Sequence, residues 1–227
     1  MKVSVLMPVY NEEQYIEEIA SKVLARPEVD EIVIINDGST DTSLSKIQNL
    51  KDNERITLVN LEKNCGKATA IRKGLEKVTG EIVLIQDADL EYDPGDYPRL
   101  LEPFEDPNVK VVYGSRTLKK NNKTGALPFY LGGLFLSFLT SILFFAKITD
   151  EPTCYKVFRT EILKSLRLKS KGFEFCPEVT AKVLRRGIKI REVPISYYPR
   201  RTSEGKKISW RDGLIAIWTL IKYRVSE

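Results

Sequence analysis

Glu81-Ile82-Val83-Leu84-Ile85-Gln86-Asp87-Ala88-Asp89-Leu90-Glu91 decides how this chain is read. Ile82–Ile85 is a short apolar run, read as a buried strand. Asp87 and Asp89 follow just past its end. Residues two apart on extended backbone point to the same side, so the two carboxylates face one way. That suits one hard divalent cation, with room left for phosphate oxygens. Asp is also common in turns, and an Asp-x-Asp taken alone is more often a solvated turn. The company it keeps carries the functional reading.

Working outward, apolar runs alternate with helical patterns. Strands are expected at Val3–Met7, Glu31–Ile35, Arg55–Val59 and Ile82–Ile85. Helices are expected near Glu12–Leu24, Thr42–Leu50 and Lys67–Val78. This order predicts an α/β fold, a doubly wound, mostly parallel sheet with helices on both faces. Ligands of such sheets bind beyond the carboxyl ends of the strands. The polar clusters fall at that edge: Pro8 to Glu12, Asn36 to Asp41, Asn60 to Lys67, and Asp87 to Asp89. Four clusters on one rim fit a nucleotide-sized site. Neither a dinucleotide fingerprint nor a P-loop is present.

The second half predicts strands at Val109–Tyr113, Thr153–Phe158 and Lys189–Val193. It also predicts a helix over Phe173–Arg186 stopping at Gly187, and a last helix from about Trp210. A basic loop with Arg200, Arg201, Lys206 and Lys207 precedes that helix. Residues 124–146 carry no charge and are long enough to score as a membrane span. Pro128 and Gly132-Gly133 interrupt the run, and strand-like segments lie on both sides. A span, a buried core helix and an interfacial helix or hairpin are the alternatives. The interfacial one is preferred, with Lys119, Lys120, Lys123 and Lys147 facing anionic head groups.

Composition bounds the class. The 227 residues suit one α/β domain, and 42% hydrophobic content allows a sizeable core. The net charge of +5 suits phosphate ligands or an anionic membrane, and is too dispersed to argue for nucleic acid. The absence of histidine removes histidine-based catalysis and metal sites. Three scattered cysteines suggest a reducing compartment without a disulfide framework. The opening MKVSVLMPVYNEE reads as a first strand, not a signal peptide.

Taken together, the motifs resemble those of inverting family-two glycosyltransferases with the glycosyltransferase-A fold. The matching stretches are VLMPVYNEE at 5–13, IINDGSTDTS at 34–43, NCGKATAIRKGL at 64–75, QDADLEYDP at 86–94, VYGSR at 112–116 and GFEFCPEVTAKVLRRGIKIREVPISYYPRR at 172–201. The EVPISYYPR stretch, with the later EGKKI, resembles the dolichyl- or polyprenyl-phosphate sugar synthases within that family. The resemblance implies one glycosyltransferase domain over 1–227. Its nucleotide-binding half would run to 116, an apolar interfacial segment over 117–148, and an acceptor half with a C-terminal amphipathic helix over 149–227. It implies transfer of a hexose, mannose or glucose, from a GDP- or UDP-sugar to polyprenyl or dolichyl phosphate. A same-family enzyme acting on a glycan or glycolipid hydroxyl is the alternative.

The resemblance also implies roles. Pro8, Tyr10, Asn11 and Glu12 would shape the nucleoside pocket. Asp37 would bond the base, with Gly38 and Ser39 forming the turn. Gly66, Lys67 and Ala88 would lie beside the nucleotide. Asp87, Asp89 and Glu91 would hold Mg²⁺ or Mn²⁺, with Asp89 the principal ligand; Glu91 stands where some relatives carry Gln. Arg116, Arg200, Arg201 and Lys207 would contact phosphates, with Asp89, Arg116 and Arg200 central to catalysis. The chain lacks the Glu-Asp pair that many hydroxyl-directed relatives place at the start of the late helix. It has Phe173-Glu174-Phe175 instead, leaving open whether Glu174 or Glu178 takes part. The expected setting is the cytoplasmic face of a membrane, bound peripherally; a membrane-protein partner for the last helix is left open.

Overall fold

The computed structural model describes residues 1–50, 52–120, 122–200 and 209–226. Its strands are β1 (Val3–Val9), β2 (Glu31–Asp37), β3 (Ile56–Leu61), β4 (Ile82–Ile85), β5 (Val111–Ser115), β6 (Lys156–Arg159) and β7 (Ile190–Pro194). The helices are α1 (Ile16–Leu24), α2 (Ser43–Gln48), α3 (Lys67–Leu75), α4 (Tyr97–Leu101), α5 (Leu127–Phe144), α6 (Thr160–Ser165), α7 (Phe175–Arg185) and α8 (Trp210–Val225). All seven strands form one sheet in the order β3-β2-β1-β4-β6-β5-β7. The pairs β3–β2, β2–β1, β1–β4 and β5–β7 are parallel, while β6 runs antiparallel to both β4 and β5.

The central strands are apolar almost throughout because helices cover both faces. Val5, Leu6, Met7, Ile32, Ile34, Val83 and Leu84 are fully buried in one continuous core. The sheet therefore needs no alternating pattern, and its strands are visible in the sequence as unbroken runs. Their carboxyl ends deliver the four polar clusters to one rim. The expected elements are present, with boundaries shifted by a few residues. α1 starts at Ile16 rather than near Glu12, because the Glu12 carbonyl accepts the Tyr15 and Ile16 N–H groups in a turn. Asn11, with φ +49°, turns the chain there. α7 ends before Gly187, whose φ is +68°.

Residues 127–144 form a single helix, not a hairpin. The core-helix alternative is overturned: of this 18-residue stretch, with mean hydropathy 1.8, only 11% is buried. Pro128 sits in the first turn, where its missing N–H costs nothing. α5 lies against α7 and α8. The strands on either side of it in sequence, β5 and β6, pair with each other, so the chain leaves the sheet for α5 and returns to it. Phe135, Phe138 and Ile142 on α5, and Trp210, Leu214 and Trp218 on α8, are exposed.

Candidate active site

The rim of the sheet encloses a cavity of about 310 Å³. Pro8, Tyr10 and Glu12 reach it from the end of β1, and Asp37 from β2. Gly66 and Lys67 open α3 onto it. Asp87, Ala88, Asp89 and Glu91 follow β4. Gly172, Phe173 and Arg200 close the far side. These segments lie far apart in sequence and meet because parallel strands end on one edge.

Asn11, Gly38 and Ser39 stand one step behind the cavity. The Asn11 N–H donates to Ser39 Oγ at 3.0 Å, and the Thr40 N–H donates to Asn11 Oδ1 at 2.8 Å. Gly38 has φ +64°, and a Cβ there would fall 2.3 Å from the Lys63 carbonyl carbon. The turn therefore requires glycine. Asp37 is buried, and its two carboxylate oxygens accept the N–H groups of Cys65 and Gly66 at 2.8 and 2.9 Å. Burial raises its pKa while these two bonds oppose the rise. Asp37 thus fixes the loop that leads into α3.

The charged heart of the cavity contains four carboxylates and two cations. Lys67 Nζ lies 2.5 Å from Asp87 Oδ1. Burial works against the lysine's charge, but Asp87 outweighs it and keeps Lys67 protonated. Burial likewise opposes the Asp87 charge, yet Lys67 and Arg200 hold its pKa low. Asp89 is the opposite case. Burial and the neighbouring Asp87 carboxylate push it up to about 7, against the pull of Arg200. Arg200 donates from Nη1 to Glu12 at 3.0 Å and from Nη2 to Asp89 at 2.6 Å, and its Nε lies 3.7 Å from Glu91. Glu91 also holds its neighbours: it accepts the Arg200 N–H at 2.8 Å and the Tyr197 hydroxyl at 3.2 Å.

These oxygen donors are of the type that hard divalent cations take. A carboxylate whose ionisation is opposed as strongly as that of Asp89 is electrostatically receptive to a cation. The chemistry of the donor set therefore fits Mg²⁺ or Mn²⁺. Among the described residues, however, no three acidic, Cys or His side chains stand close enough together to ligate one ion as they are. Glu12, Asp89 and Glu91 are spread around Arg200 instead.

A second cavity, about 840 Å³, adjoins the first and shares Lys67, Asp87, Glu91 and Phe173 with it. Part of its wall comes from α5, with Phe129, Gly133 and Leu136, and part from α8, with Trp210, Gly213 and Ala216. Lys119, Lys123 and Arg116 also line it. Arg116 therefore lines this cavity and not the first. Its guanidinium grips Asp150 through two bonds of 2.8 and 2.7 Å and stacks 5.0 Å over Tyr197. The Glu192 carboxylate fixes the Asp150 turn by accepting the Thr149 and Asp150 N–H groups. Arg201 and Lys207 lie outside the described residues.

Glu174 and Glu178 face their own backbone. Glu178 is fully buried and accepts the N–H groups of Lys169 and Ser170, both at 2.8 Å, and Lys182 Nζ at 2.7 Å. Glu174 accepts the Lys171 N–H at 2.9 Å. Sequence reasoning missed Asp150, Tyr197 and Cys154, which line the second cavity. Asp150 meets Arg116 across 34 residues, and no local pattern signals such a pair.

Dodecaprenyl-phosphate galacturonate synthase of Rhizobium johnstonii is 26% identical over 91% of this chain and 62% of its own length. Dolichol-phosphate mannosyltransferase of Pyrococcus furiosus is 28% identical over 91% of this chain and 59% of its own length. This chain thus spans about three fifths of those two curated relatives. UDP-N-acetylglucosamine–dolichyl-phosphate N-acetylglucosaminyltransferase of Methanococcus voltae is 28% identical over 84% of this chain and 83% of its own length. Among solved structures, glucosyl-3-phosphoglycerate synthase from Mycobacterium tuberculosis, in complex with Mn²⁺, UDP and glucosyl-3-phosphoglycerate, superposes with a TM-score of 0.77. It is 20% identical and covers 100% of this chain and 81% of that chain. At that identity the likeness speaks for the fold, a glycosyltransferase-A arrangement. The description of glycosyl transferase family 2 matches residues 4–167, and the chain belongs to that family of glycosyltransferases.

Proposed function

We propose that this chain transfers one hexose from a nucleotide-diphosphate sugar to a polyprenyl or dolichyl phosphate, with inversion at the anomeric carbon. The observation that carries this reading is the junction of the two cavities. A cavity at the strand ends that holds Glu12, Asp89 and Arg200 shares Lys67, Asp87, Glu91 and Phe173 with a larger, mostly apolar one lined by α5 and α8. The first suits a nucleotide sugar, the second a prenyl chain. The names of the three relatives share a lipid-phosphate acceptor and differ in the sugar.

In this reading Pro8, Tyr10, Asp37 and Gly66 bound the nucleoside. Asp87, Asp89 and Glu91 would hold Mg²⁺ or Mn²⁺, which supplies charge compensation for the departing diphosphate. Lys67 adds a fixed positive charge on the same side. A lipid monophosphate is already an anionic nucleophile and needs no general base. Glu174 and Glu178, both engaged with backbone, accord with that. Arg200 and Arg116 are the groups with the geometry to orient phosphate oxygens, because a guanidinium binds them in pairs. The exposed apolar faces of α5 and α8 would rest on the cytoplasmic side of a bilayer. Lys120, Lys123 and Lys147, all exposed, would meet head groups there.

The test is nucleotide release from GDP-mannose, UDP-glucose and related donors with Mn²⁺, with and without polyprenyl phosphate. Release that depends on the lipid phosphate is expected. Preference for a glycan or glycolipid hydroxyl over lipid phosphate would overturn the reading.

A further inference from the structure

Arg200 is held differently from Arg116 and Lys67, which like it are half-buried beside a carboxylate. Arg116 and Asp150 form a one-to-one pair with two parallel bonds. Lys67 and Asp87 are also one-to-one. Arg200 instead stands among Glu12, Asp89 and Glu91, with one bond to each of the first two and its Nε 3.7 Å from the third. That Nε is buried and has no hydrogen-bond partner. One guanidinium thus faces three carboxyl groups, two of which, Asp89 and Glu91, belong to the donor set assigned to the divalent ion under the proposed function. With the guanidinium among them, these carboxylates do not stand close enough together to ligate a single ion.

We infer that Arg200 is a placeholder cation: it bridges Glu12 and Asp89, and a divalent cation must displace it to bind. This rests on the divalent-cation reading given under the proposed function. The Arg200 backbone can stay in place meanwhile, since its N–H is held by Glu91 and the Tyr198 N–H by the Glu91 carbonyl. Only the long side chain swings. Cation entry and release of the guanidinium then become one event. The released group emerges beside Glu91, where the two cavities meet, and there it can take a phosphate oxygen. The order of binding follows: cation and donor first, acceptor phosphate second. An acceptor anion arriving early finds Arg200 occupied by carboxylates.

The test uses the full chain stripped of metal, without nucleotide. Free Mn²⁺ is followed by electron paramagnetic resonance for wild type, Arg200→Gln, and Lys171→Gln as an exposed lysine outside the cluster. Arg200→Gln is expected to bind Mn²⁺ at least about tenfold more tightly than wild type, and Lys171→Gln within about twofold of it. In parallel, wild-type Arg200 is labelled with phenylglyoxal and quantified by mass spectrometry. Mn²⁺ is expected to raise that labelling at least about fivefold. If Mn²⁺ binds wild type and Arg200→Gln equally, or binds without raising the labelling, the placeholder role is overturned while the cation reading stands. If neither protein binds Mn²⁺ at millimolar concentration, the cation reading itself fails and takes this inference with it.

Discussion

Asp89 is held against its own ionisation, and stability should report it. Its carboxyl is pushed from 3.8 to about 7 by burial and by Asp87. The folded state therefore binds a proton more tightly than the unfolded chain does. Stability is then lost as pH rises from about 4 towards 7 and levels off above. Asp89→Asn removes this contribution. In chelator, wild type minus Asp89→Asn stability, measured by urea denaturation, should fall between pH 5 and pH 7.5. A flat difference would contradict the raised value. The same substitution should abolish transfer while leaving the fold intact, because site carboxylates are kept for function at a cost in stability. Arg200→Lys keeps the charge but loses the planar fork. Transfer to polyprenyl phosphate should fall at least about tenfold, or about 1.4 kcal/mol of transition-state binding. Donor affinity, read by titration calorimetry, should change much less.

At the scale of elements, α3 begins at a position only glycine fills. Gly66 has φ +91°, and a Cβ would fall 2.4 Å from the Lys171 carbonyl oxygen. Gly66→Ala should destabilise the protein by about 2 kcal/mol through strained backbone and forced separation of the two loops. Urea unfolding measures it, and a change under about 0.5 kcal/mol would show that the loops part freely. The pair α5 and α8 makes a different prediction. Their outward faces hold Phe138, exposed by 62%, and Trp218, exposed by 65%. Each large apolar side chain entering a bilayer is worth about 1.5–3 kcal/mol. Phe138→Glu with Trp218→Glu should cut binding to vesicles containing anionic lipid at least about tenfold in a flotation assay. Far-ultraviolet circular dichroism should stay unchanged. Undiminished flotation would move the contact surface elsewhere.

Over the whole molecule, the site and the apolar surface are separable. The acid cluster stands on the rim of the sheet, while Phe138 and Trp218 face outward from the helical flank and line neither cavity. The double variant should therefore lose transfer to long-chain polyprenyl phosphate in vesicles yet keep transfer to a short, water-soluble prenyl phosphate. Equal loss on both acceptors would mean that the helices shape the site itself.

Local physics made much of this legible in the chain alone. Unbroken apolar runs such as Ile82–Ile85 identify strands covered on both faces, and parallel winding then gathers Glu12, Asp37, Lys67 and Asp89 on one edge. Glycines with positive φ, Gly38, Gly66 and Gly187, mark turns wherever they occur. The antiparallel insertion of β6 between β4 and β5 was not legible, because a four-residue strand carries no sign of its direction. Nor was the solvent-facing placement of α5, since an apolar helix reads alike in a core, on a bilayer or across one. Partnerships were the other gap. Arg116 meets Asp150, Glu178 turns to the backbone of residues 169–170, and Arg200 enters a carboxylate cluster assembled across 188 residues. Composition supplies such charges, but only tertiary packing decides which of them meet, because ion pairing depends on distance in space rather than separation along the chain.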